Sequence, residues 1–166
     1  TVRGIELEGK KQIGRNFEFR ANLTLVKSEA QFIRKDLQII DGIKVYTIID
    51  TLYRPMFGQA PYLFNSMFSY TSDTLGLTAT VSYNVQGPRL VIAGSVKGRP
   101  DVYEIPRHLL DFKISKSIGE HYSASLTIRD ILNSPVRRSY DLPGGYVDFD
   151  NFRYGTNFLV SFAYKL

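Results

Sequence analysis

Cysteine and tryptophan do not occur in this chain of 166 residues, and histidine occurs only twice. Without cysteine there is no disulfide framework and no thiolate metal site. That absence leaves the compartment open, because many exported bacterial proteins also lack cysteine. No apolar run approaches the roughly 20 residues of a transmembrane helix. The longest, such as Leu90–Ala93, are far shorter. No stretch has the periodicity of a convincing helix. The formal charge is +5 at pH 7. Its lysines and arginines are scattered and form no basic stripe, so nucleic acid is not an expected partner. The opening residues TVRGIELEG show no charged-then-apolar leader, so the chain is expected to be a mature exported protein or a piece of one. No Ser-His-Asp order, GxSxG or phosphate-cradling glycine loop occurs. Neither an enzyme activity nor a cofactor is expected.

What is present is tyrosine and phenylalanine, 11 of each, set in segments of alternating polarity. Gly155–Leu166, GTNFLVSFAYKL, is the clearest of these. Phe158, Val160, Phe162, Tyr164 and Leu166 fall on one side of a strand, and Asn157, Leu159, Ser161, Ala163 and Lys165 on the other. Six further segments repeat the pattern: about Val2–Gln12, Asn16–Ser28, Ala60–Tyr70, Leu75–Gln86, Arg107–Lys116 and His121–Leu132. Three links between them are tight (IGR, SDT and SIGE). The other three are long, roughly Glu29–Gln59, Gly87–Pro106 and Asn133–Phe152, and hold most of the proline and glycine.

Strict alternation of short and long connections is the layout of a transmembrane barrel, with short periplasmic turns and longer extracellular loops. Each segment has about the 9–11 residues needed to cross at a tilt. A soluble sandwich or lipocalin-like barrel also alternates, but it buries its apolar face and takes tight turns at both ends. Here aromatic residues gather near strand ends (Tyr62, Tyr70, Tyr83, Tyr122 and Tyr164), as interfacial girdles do. Seven is an odd count, and bacterial single-chain barrels are even. Lys44–Tyr53 supplies a possible eighth strand but breaks the loop alternation, so it is assigned to a hairpin above the membrane. The expected fold is therefore all-β: a segment of about seven antiparallel up-and-down strands from a larger transmembrane barrel. Glu6, Glu8, Lys10, Glu18, Arg20, Asp111, Lys113 and Arg129 would line its lumen.

Candidate sites are few. His108 and His121 lie at opposite ends of one strand, too far apart to share a metal. Asp148 and Asp150 form a DxD with too few oxygen ligands for calcium, and a solvated loop is the plainer assignment. Glu6 and Glu8 stand about 7 Å apart on one face, a spacing glycosidases use, though salt bridges or plug contacts explain them better. Asn22-Leu23-Thr24 is a glycosylation sequon, but it falls mid-strand. Arg89, Arg99, Arg137 and Arg138 lie in the long loops. They are candidates for contact with an anionic ligand or lipopolysaccharide phosphate, since guanidinium groups bind phosphate bidentately. Solvated loop charge is the plainer reading for them.

An ordered set of stretches resembles the C-terminal part of a TonB-dependent outer-membrane receptor of the Bacteroidetes type. They are RGIELEGKK, ANLTLVKSE, RPMFGQAPYLFN, SYNVQGPRLVIAG, IPRHLLDFKISKSIG, IRDILNSP and YGTNFLVSFAYKL. Together they span nearly the whole chain. The resemblance implies a 22-stranded barrel of a Gram-negative outer membrane, plugged by an N-terminal domain. This chain would be about its last third, without plug, TonB-contacting box or leader. The implied function is active uptake of an iron chelate, cobalamin, glycan or peptide. The implied partners are outer-membrane lipid, the remainder of the barrel and plug, TonB acting through that plug, the barrel-assembly machinery, and a surface lipoprotein. Gly155, Phe158, Val160, Phe162, Tyr164 and Leu166 would form a lipid face and terminal assembly signal, although such receptors commonly end in Phe rather than Leu. The alternative is a small eight-stranded OmpA- or OmpX-like structural or adhesive barrel.

Overall fold

The computed structural model of the chain describes residues 1–96 and 98–165, with side chains at all of these positions except Arg34, Leu37 and Ile49. Among the described residues there are strands and no helix. In chain order they begin with β1 (Val2–Ile13), β2 (Phe17–Ser28), β3 (Ala30–Ile40), β4 (Ile43–Arg54) and β5 (Tyr62–Ser72). Next come β6 (Leu77–Gln86), β7 (Arg89–Ile92), β8 (Val102–Glu104) and β9 (His108–Ile118). The last are β10 (Tyr122–Arg129), β11 (Val136–Leu142), β12 (Gly145–Phe152) and β13 (Asn157–Tyr164).

The seven segments expected from alternation form one antiparallel sheet, ordered β1-β2-β5-β6-β9-β10-β13. Their ends shift for local reasons. β5 starts after Pro61, which has no N–H for the ladder. β10 stops at Arg129 because Asp130 turns left-handed, at φ 54°. Leu166 lies outside the described residues. At one end β1–β2, β5–β6 and β9–β10 are joined by short turns. Gly76 shows why one turn is glycine: φ is +57°, and a Cβ there would sit 3.1 Å from the Ser117 Cβ.

The three long connections leave from the other end and are not loops. β3 and β4 form a two-stranded sheet, and one isolated bridge joins Lys35 of β3 to Val96. The two strands meet through a two-residue turn in which Asp41 (φ 50°) and Gly42 (φ 78°) are both left-handed. This is the geometry that suits the twist of a hairpin. Lys44–Tyr53 therefore belongs to a separate hairpin and not to the main sheet. The other two long connections supply a four-stranded sheet, β12-β11-β8-β7. Alternation does not reveal β11, because VRRSYDL sets two arginines side by side and offers no apolar face; the bulge of this pair lies on β12, where Phe149 is the extra residue.

Burial separates these two regions. The buried apolar side chains are Ala60, Val85, Leu90, Val102 and Val136, and only Val85 belongs to the main sheet. The hydrophobic core thus sits in the loop layer, around a Leu90 that is 0% exposed. The main sheet covers neither of its faces with another layer. Its edges, β1 and β13, do not pair with each other.

Candidate functional site

Side-chain direction alternates along each strand, so register decides what shares a face. Leu7, Leu23, Phe64 and Val85 form one cross-strand row. Val81, Phe112, Ile128 and Phe158 form another. Most apolar residues of the seven strands consequently make one continuous face, while Val26, Leu63, Met67, Leu109 and Leu159 lie on the other. Phe162 on it is 81% exposed and Phe158 is 69% exposed. Val160 and Tyr164 are exposed beside them. Gly155 precedes β13 in a left-handed bend, at φ +84°.

Aromatic rings gather at both ends of this face. At the turn end Phe17 stacks on Phe68 at 5.6 Å and meets Tyr70 at 5.0 Å, and Tyr122 meets Tyr164 at 5.2 Å. At the loop end Phe64 lies 6.1 Å from Tyr83, whose hydroxyl is 2.6 Å from His108 Nδ1. Tyr62 and Tyr70 are eight residues apart on β5, or about 27 Å along the strand and about 21 Å at a 40° tilt.

The opposite face is polar and internally bonded. Glu8, Asn22, Asn65 and Asn84 form a row across four strands. Asn65 Nδ2 donates to Asn22 Oδ1 at 2.7 Å, and Asn84 Nδ2 donates to Asn65 Oδ1. Glu18 holds Arg20 at 2.5 Å and Lys10 at 3.1 Å.

Where the polar face meets the loop layer there is a cavity of about 360 Å³. Arg89, Glu104, Arg107, Arg138 and Tyr154 are among its walls. Arg89 Nη2 lies 2.8 Å from Glu104 Oε1, and Arg138 Nη1 lies 3.1 Å from Asp150 Oδ2. Arg107 Nη2 donates to Asp130 Oδ2 at 2.5 Å, and its guanidinium lies over the Tyr154 ring at 5.5 Å. Each arginine already has a carboxylate, so the cavity offers hydrogen-bonding edges rather than a net positive field.

Of the four loop arginines singled out from sequence, only Arg89 and Arg138 are brought together, around Glu104. Arg137 pairs with Asp148 at 3.0 Å, outside the cavity. Arg99 is exposed on a turn closed by its own N–H to the Val96 carbonyl. The Arg137 hydrogen bond, helped by Ser139, holds the Asp148 carboxyl below the usual carboxylate range. Burial, with Asp101 and Asp141 adding to it, pushes the Tyr103 phenol up. Asp148 and Asp150 are thus partners of Arg137 and Arg138. No group of three or more metal-ligating side chains occurs among the described residues.

Sequence reasoning passed over Arg107, Asp130 and Arg54. Arg54, at the base of the β3–β4 hairpin, is 8% exposed. It pairs with Asp101, donates to the Gly94 carbonyl at 2.7 Å and lies over Phe32. No periodicity marks such residues, since their partners lie tens of positions away. Comparison of the chain with protein-family models, curated proteins and solved structures finds no match.

Proposed function

We propose that the chain is part of the transmembrane barrel of an outer-membrane, TonB-dependent receptor that imports a nutrient such as an iron chelate, cobalamin, glycan or peptide. One observation carries the membrane part of this reading. The apolar face of the seven-stranded sheet is uncovered, contains no carboxylate among its described residues, and is bounded at both ends by aromatic rings. Water tolerates single exposed apolar residues but not a patch of this extent. Hydrocarbon does, and its band in such barrels is about 25 Å tall between aromatic girdles.

A larger barrel is favoured over an eight-stranded one by the pairing of β4. Because β4 joins β3 and not the sheet, β1 and β13 are left as open edges for further strands. The polar row and the arginine cavity then face the lumen. The receptor assignment itself rests on the resemblance of the ordered stretches quoted above.

The lack of cysteine makes the test direct, since each introduced thiol is unique. Phe64→Cys and Phe68→Cys should be shielded from a water-soluble maleimide in membranes. Asn65→Cys and Ser69→Cys should label from water. Labelling of all four from water would sink the membrane reading. Uptake by cells that persists after loss of TonB would sink the receptor assignment alone.

A further inference from the structure

Arg3 and Lys27 are direct cross-strand partners of β1 and β2. Both are exposed, and both lie on the apolar face, one step beyond the Ile5–Leu25–Tyr62 row at the loop end. Like charges directly opposite one another in a sheet repel. Every acid of these two strands (Glu6, Glu8 and Glu18) points to the other face. Glu29, two positions past Lys27, makes no ion pair with either cation among the described residues. The loop arginines Arg89, Arg137 and Arg138 contrast with them, each held by a carboxylate.

We propose that Arg3 and Lys27 together bind a phosphate of an anionic lipid headgroup at the loop-side rim of the apolar face. This rests on the membrane reading above, which places the rim at the outer-leaflet surface. A phosphate oxygen pair matches the guanidinium fork, and the ammonium supplies a second charge. The bound anion removes the repulsion that the register creates. The turn end of β1 has only Lys11 on this face, opposite Phe19, and so has no such pair.

The test uses the full-length protein folded into detergent micelles and measures lipid retained by native mass spectrometry. The probes are bisphosphorylated lipid A and its dephosphorylated form. Wild type should retain the phosphorylated lipid, and the Arg3→Gln/Lys27→Gln double variant should lose about tenfold in retention. Lys11→Gln should retain it fully, and the dephosphorylated lipid should not distinguish the three proteins. Equal retention by wild type and the double variant overturns the proposal, as does an equal loss in Lys11→Gln. Insertion into zwitterionic phosphatidylcholine vesicles is measured in parallel. Failure there overturns the membrane reading and this inference together, whereas normal insertion without phosphate selectivity overturns the inference alone.

Discussion

Asp130 shows how much a single residue holds at the loop end. It is 6% exposed, accepts from Arg107 and the Ser134 N–H, and donates its own N–H to Asp111 Oδ1. Its carbonyl accepts from Thr156, which fixes the approach to β13. Its left-handed φ of 54° is one that Asp and Asn tolerate better than other side chains. Replacing it by Ala leaves the Arg107 guanidinium largely buried and without its carboxylate, at a cost of about 3–5 kcal/mol. Asp130→Ala is expected to lower the urea midpoint and to remove amide-exchange protection from residues 130–134. Asp130→Asn keeps the backbone conformation and the Ser134 contact, and should fall between Ala and wild type. An Ala variant as stable as wild type would show that the hub is dispensable. The stretch IRDILNSP was visible as a motif, but its role was not. Arg107 and Thr156 lie 23 and 26 residues from Asp130, beyond the reach of any local pattern.

At the scale of one strand, β13 carries the cleanest contrast between faces. Val160 lies on the apolar side beside Leu126, and Ser161 on the polar side beside Ser125. A strand facing hydrocarbon penalises Arg at mid-depth by roughly 2–4 kcal/mol, while a lumen position tolerates it. Val160→Arg should therefore lower the unfolding free energy in lipid vesicles by that amount, and Ser161→Arg should change it by much less. Similar effects from both would contradict a lipid-facing strand. The face of β13 was legible because its period is two and nothing interrupts it. β11 was not, because VRRSYDL sets two arginines side by side and has no apolar alternation to read. β3 and β4 were legible only as a hairpin that leaves the main layout intact. The bulge of this pair lies on β4, where Ile49 is the extra residue between Ile48 and Asp50, so no clean two-residue period runs through that strand.

The whole molecule consists of a core-bearing loop layer and a bare sheet. A sheet with two open edges and an uncovered apolar face is a template for association. Residues 1–166 refolded in water are expected to sediment as aggregates, and the same chain in detergent micelles should stay dispersed. A monodisperse monomer in detergent-free buffer, read by light scattering, would contradict the exposure described here. Sequence by itself determined the all-β class, seven strands of the main sheet, their order and which residues of each strand share a face. It did so because strand periodicity and turn chemistry are local, and each strand pairs with the next one free to meet it. Tertiary structure alone decided that the core lies around Leu90 and that Arg89 and Arg138 share Glu104. It also set Arg3 against Lys27. Those outcomes depend on register and on contacts across tens of residues, which no window of sequence contains.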